Sequence, residues 1–216
     1  MRRLTLVLLP AFVALPLHEG DGQIIRGGRF GLRDPQTWVS AGMGLQQGLT
    51  VIDGASSARW EMGDATSYGG SIERAISGGV TLGVRANTAR VPMDYVRSDL
   101  SGFTEADGRV SQALAMLHVS AGRDLHSVLE LGAGATFYSG FRDRSTGNKL
   151  IPTKPDADFT FVFGYGIGYT FSRSFQVDVV QDIATALHQK AGLSAGDDSS
   201  VRISSTRLVA RLGFGG

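Results

Sequence analysis

FTFVFGYGIGYTF, residues 159–171, is the stretch that decides the fold. Phe159, Phe161, Phe163, Tyr165, Ile167, Tyr169 and Phe171 take the odd positions; Thr160, Val162, Gly164, Gly166, Gly168 and Thr170 take the even ones. Successive side chains on a strand point to opposite faces, so this segment carries a wall of large apolar groups on one face and small groups on the other. Weaker copies of the same alternation fall near residues 37–47, 66–77, 79–90, 110–121, 127–139 and 175–185, and in a closing strand through Arg207–Phe214. The copy at 110–121 is the least legible. With the aromatic strand these make eight. Short connections at 77–79, 122–126 and 172–174 alternate with long ones at roughly 48–65, 91–109, 140–157 and 186–201. That rhythm predicts an all-β fold, an eight-stranded antiparallel up-and-down barrel with long loops on one rim and tight turns on the other.

Composition narrows the class. Lys and Arg number 21 against 20 Asp and Glu, giving a formal charge of +1, and no polybasic run stands out, so no nucleic-acid partner is expected. The chain has no cysteine, which excludes disulfide scaffolds, thiolate metal sites and thiol catalysis. Glycine, at 30 residues of 216, is about twice its usual ~7% share. In-strand glycines such as Gly132, Gly134, Gly164, Gly166 and Gly168 lack the strand-to-helix context of a phosphate loop and read as room inside a narrow barrel. Arg2 and Arg3 precede the mostly apolar Leu4–Leu17, which is too short to span a bilayer as a helix and reads as an export signal. The expected organisation is a signal peptide at 1–22, an N-terminal periplasmic segment at 23–35, and a barrel over 36–216.

The polar face decides whether such a barrel is soluble or membrane-spanning. It consists of Gly, Ser and Thr punctuated by Glu73, Arg85, Glu130, Asp178, Asp182, Arg207 and Arg211. A soluble exterior is studded with Lys and Glu, whereas a narrow lumen needs small residues and a few paired charges. These seven are therefore expected to form a lumen charge network. A single register would place Asp178 opposite Arg211 and Asp182 opposite Arg207. Trp38, Tyr169, Phe171, Phe175 and Phe214 fall near one rim, and Tyr68, Phe137, Phe159 and Phe161 near the other. These nine are expected to form two aromatic girdles at the bilayer interfaces. The fold class is then a transmembrane β-barrel, with a soluble lipocalin-like carrier as the competing reading.

On these residues the chain resembles the small OmpA/OmpX-type outer-membrane β-barrels of Gram-negative bacteria. The resemblance covers about residues 36–216 and includes the closing strand that ends in the aromatic Phe214. It implies outer-membrane localisation and contact with membrane lipid and lipopolysaccharide. It also implies recognition of the C-terminal strand by the barrel-assembly machinery. The long loops would meet an unidentified extracellular ligand, in a structural or surface-interaction role: loop display, adhesion or envelope integrity. The wall-tethering activity of full-length OmpA-like proteins is not expected to carry over.

Catalytic motifs are sparse. His118-Val119-Ser120 is similar to the His-x-Ser pair of PagL-type lipid A deacylases, whose imidazole serves as a general base on the lipid face. That motif continues with Asn where this chain has Ala121, and Glu130 is expected to face away from His118. The expectation is a rim histidine and no catalytic residue. The histidines His18, His118, His126 and His188 show no ligand spacing, so neither a metal nor a cofactor is expected. Asp94, Asp99, Glu105 and Asp107 read as solvated loop acids, with calcium or a lipopolysaccharide-bridging cation as the competing reading.

Overall fold

A computed structural model describes residues 34–53, 58–97, 102–151, 156–188 and 200–215. The proposed signal at 1–22 and nearly all of the 23–35 segment lie outside these residues. The described chain is built of antiparallel strands: β1 (Thr37–Gln46), β2 (Leu49–Asp53), β3 (Ala58–Met62), β4 (Ala65–Ser77), β5 (Val80–Arg97), β6 (Thr104–Gly122), β7 (Leu125–Asp143), β8 (Asp156–Ser172), β9 (Phe175–Leu187) and β10 (Ser200–Phe214). β2 continues the line of β1, and β3 that of β4, because β3 and β4 both pair with β5 at successive heights. The ring therefore has eight strands, running β5-β4-β1-β10-β9-β8-β7-β6 and back to β5. β1 closes it against β10 from Thr37↔Phe214 to Gln46↔Ser205. Both termini of the barrel and the three two-residue turns after β4, β6 and β8 share one end, here called the turn end.

The apolar side chains face outward. Phe161 is 53% exposed and Tyr165 38%, whereas Val162 between them is buried. This orientation is that of a membrane barrel and opposes a lipocalin-like one, which would pack these rings around its axis.

At the end opposite the turns, two of the four expected long loops, 48–65 and 91–109, prove to be largely strand among the described residues. β5 runs on to Arg97, β6 begins at Thr104, β7 reaches Asp143, and β2 and β3 form a hairpin inside the expected 48–65 loop. In this crown the polarity of the two faces is reversed. Val91, Met93, Tyr95, Ala106 and Phe141 point inward and are buried, while Arg90, Pro92, Glu105 and Arg109 point outward and are exposed. Glu105 and Asp107, expected to be free loop acids, are strand residues paired with Arg144 at 3.7 and 2.8 Å. The crown therefore follows the pattern of a water-exposed sheet around an apolar core. Trp60 lies at its centre, with ring centroids 4.8 Å from Phe141 and 5.7 Å from Tyr138.

Tyr138 and Phe141 both face inward although they are three positions apart, an odd step that strict alternation forbids. A register shift in the β6–β7 pairing between Asp107 and Arg109 supplies the extra residue, and Gly140 adopts φ +70° within it. Such a bulge re-aims the chain at the cost of one left-handed residue.

Gly140→Ala is expected to destabilise the barrel by about 1–2 kcal/mol, the cost of forcing a side chain into that conformation. Gly78→Ala, in a turn where a Cβ meets nothing within 4 Å, should leave the unfolding midpoint unchanged. Urea titrations of the two refolded variants provide the comparison.

Candidate functional site

Among the described residues, two charged assemblies stand out in the interior, one toward the turn end and one at the mouth of the crown. The first contains the seven charges singled out from the sequence. Glu73, Arg85, Glu130, Asp178, Asp182, Arg207 and Arg211 all point into the lumen and are buried; Arg211 is 3% exposed. They project from β4, β5, β7, β9 and β10, so the assembly ties together opposite walls of the ring.

Glu130 is its hub. Its Oε2 accepts bonds from Arg85 Nη1 and Arg207 Nη2, each at 2.6 Å. Arg207 also grips Asp182, donating Nε to Oδ2 at 2.6 Å and Nη2 to Oδ1 at 3.1 Å. Arg85 Nη2 lies 3.3 Å from the same carboxylate. Nearer the turns, Arg211 Nη2 donates to Glu73 Oε2 at 2.5 Å, and Ser71 and Thr81 donate to that carboxylate as well.

His118 joins the two groups. It is buried in the lumen, not placed at the rim, and it stands directly opposite Glu130 in the β6–β7 register. Its Nε2 receives Arg211 Nη1 at 2.6 Å, and its Nδ1 is 3.1 Å from Glu130 Oε1. Arginine has only donors, so Nε2 must accept and Nδ1 carries the hydrogen given to Glu130. The expectation that Glu130 and His118 face apart is thereby corrected. Sequence reading misplaced His118 because β6 alternates weakly: both faces carry apolar residues, Leu114 and Met116 inward and Ala113, Ala115, Leu117 and Val119 outward. Ser120 donates to the Gly79 carbonyl at 3.3 Å.

The β9–β10 register also differs from the expected one. Arg207 stands opposite Val180 and Arg211 opposite Gln176, two residues away from direct opposition to Asp182 and Asp178. Arg207 still reaches Asp182 diagonally. Arg211 instead takes Glu73 across the lumen and lies 3.9 Å from Asp178. Asp178 is held by His126, whose Nε2 is 3.1 Å from Oδ1. Gly168 makes room for that pair, since a Cβ there would lie 2.0 Å from Asp178 Oδ1 and 2.3 Å from His126 Nε2.

Of the nine aromatic residues assigned to girdles, Tyr68, Phe159, Phe161, Tyr169, Phe171 and Phe214 are exposed on the outer face, and Phe137 and Phe175 are half-exposed. Trp38 is the exception. It is 8% exposed and lies inside the lumen, with its ring 5.2 Å from the Arg211 guanidinium carbon in a cation–π contact. The outward position of neighbouring Val39 requires this, because adjacent residues on a strand cannot share a face.

At the mouth, His188 lies just past β9 and is 2% exposed. Its Nδ1 faces Asp158 at 2.9 and 3.0 Å, and its Nε2 is 3.5 Å from Asp53. Burial disfavours charge on this ring. The bond to Asp158 and the fields of Asp158, Asp156 and Asp53 outweigh it, holding the imidazole pKa above its usual value. No motif spacing reveals this cluster, since its members come from β2, β8 and the end of β9.

With this geometry established, comparison with known proteins places the fold. No family model matches the chain, and no curated protein matches its sequence. Among solved structures, Neisserial surface protein A is similar with a TM-score of 0.55 at 10% identity, over 82% of this chain and 97% of that one. The outer membrane protein OprG of Pseudomonas aeruginosa aligns at a TM-score of 0.45 and 10% identity, over 84% and 95% of the two chains. The N-terminal β-barrel domain of OprF from the same organism aligns at 0.44 and 13%, over 83% and 100%. The fold is that of the small eight-stranded outer-membrane β-barrels.

Glu130→Gln removes the charge shared by two guanidiniums, and breaking a buried pair costs roughly 3–5 kcal/mol. The unfolding free energy of the refolded barrel should fall by that amount. Arg59→Gln, at a surface ion pair in the crown, should change it by less than about 0.5 kcal/mol.

Proposed function

We propose that this chain is an outer-membrane protein of a Gram-negative envelope, with a structural or surface-interaction role and a closed lumen. The turn end and both barrel termini face the periplasm, and the crown faces outward. The observation that carries this reading is the reversal of face polarity along single strands. An outer surface that is apolar over one height and charged over the next suits a bilayer with a water-exposed projection above it.

The interior argues for display over transport. The charged layer spans the lumen, and the gap bordered by Glu73, His118, Glu130 and Arg211 leaves room for about one water molecule. Above it, Trp60, Tyr138 and Phe141 fill the crown. Partners follow from the surfaces. Lipid and lipopolysaccharide meet the aromatic girdles, the assembly machinery reads β10, and an extracellular ligand engages the crown and its connections. No catalytic step is assigned. A lipid A hydrolase would need the His118 imidazole exposed to lipid, and here it is enclosed between Arg211 and Glu130.

Because the natural chain lacks cysteine, single substitutions test the arrangement cleanly. Ser145→Cys, in the connection after β7, should react with a membrane-impermeant maleimide on intact cells. Ser174→Cys, in the turn after β8, should react only after the outer membrane is permeabilised. The reversed pattern would overturn the orientation. Recovery of the protein in the soluble periplasmic fraction, with no difference in gel mobility between cold and boiled SDS samples, would overturn the membrane assignment.

A further inference from the structure

Three acids converge on one buried imidazole at the mouth of the barrel. Asp53 ends β2, Asp156 opens β8, and His188 follows β9; each offers a donor atom, and these atoms lie within 4.8 Å of one another. His188 Nε2 is buried and makes no hydrogen bond, although it lies 3.5 Å from Asp53 Oδ1. The opposite ring nitrogen is held by both oxygens of the third acid, Asp158. The ring is kept in place by edge contacts with Trp60 and Tyr138, at centroid distances of 5.6 and 5.9 Å.

We infer that Asp53, Asp156 and His188 form a binding site for a divalent transition-metal cation, of which zinc is the reference. A cation would satisfy the one buried nitrogen of this ring that makes no hydrogen bond, on the side where the Asp53 carboxylate faces it. Metal-bound histidines characteristically give their other ring nitrogen to a carboxylate that fixes tautomer and orientation, which is the position Asp158 occupies. The spacing also fits. Zinc bonds of 2.0–2.2 Å at tetrahedral angles set neighbouring donors about 3.4 Å apart, close to the 3.5 Å between His188 Nε2 and Asp53. Asp156 stands on the Nδ1 side of the ring, its Oδ2 3.9 Å from that nitrogen, and its side chain, 40% exposed, would have to rotate toward Nε2 to join the ion, leaving a fourth position for water. One imidazole with two carboxylates suits zinc or a neighbouring first-row ion, whereas calcium takes oxygen ligands alone. The bound ion would fasten β2, β8 and the end of β9 to one another. This inference does not depend on the membrane that holds the barrel.

The test uses the untagged full chain refolded into detergent and dialysed against Zn²⁺, with bound metal measured by mass spectrometry. The wild type should hold one zinc per chain, and its X-ray absorption should show a nitrogen-and-oxygen shell that includes imidazole. Asp156→Asn, at a half-exposed position, should leave the gel mobility of the folded barrel unchanged and weaken binding at least tenfold. His188→Gln should abolish it, and Asp158→Asn, at a positioning residue, should weaken it by about tenfold. Absence of saturable one-to-one binding would overturn the proposal, as would wild-type affinity in Asp156→Asn or His188→Gln.

Discussion

Closure of the ring between β1 and β10 is the constraint on which the rest of the structure depends. An open sheet has two edges of unpaired backbone N–H and C=O groups, and hydrocarbon offers them no partner. Pairing from Thr37↔Phe214 to Gln46↔Ser205 removes both edges. Closing after only eight strands leaves a lumen that side chains must fill. From that follow the glycines on the inner face, the paired charges below and the apolar core above.

The charge network specifies the barrel more than it stabilises it. Taking ions from water costs about as much as their attraction returns, so a buried pair is weak evidence for stability. Its geometry, however, is selective. Glu130 on β7 engages Arg85 on β5, His118 on β6 and Arg207 on β10, so four strands must be in register together. A slip of one residue on any of them would turn its charge toward lipid.

The legible parts of this fold were those where one face is large and apolar throughout. Phe159–Phe171 announces its strand, its outward face and its neighbours' pattern without ambiguity. The crown was hidden because the polarity of its faces reverses. Arg90 and Arg109 stand opposite one another on the outer wall, yet in sequence they look like loop charges interrupting a strand. Alternation persists across them, but its sign changes where the environment passes from hydrocarbon to water. The bulge at Gly140 conceals Phe141 in a different way, since it breaks the period itself. Within the site, the acids and arginines were legible by chemical type, because unlike charges on a glycine-rich face fit a narrow lumen and little else. Which partner each one takes was not. Long side chains reach diagonally and across the lumen, so Arg211 meets Glu73 from the far end of the sequence, and His118 emerges only once β6 is oriented.

The packed crown also bears on how the barrel can be recognised. A flexible loop must be immobilised when it is bound, and the lost freedom is subtracted from the affinity. Here Trp60, Tyr138 and Phe141 hold the upper strands in place before any encounter. A ligand that docked on those strands would therefore meet a finished relief, and its selectivity would come from shape and charge matching on contact, with little owed to mutual accommodation.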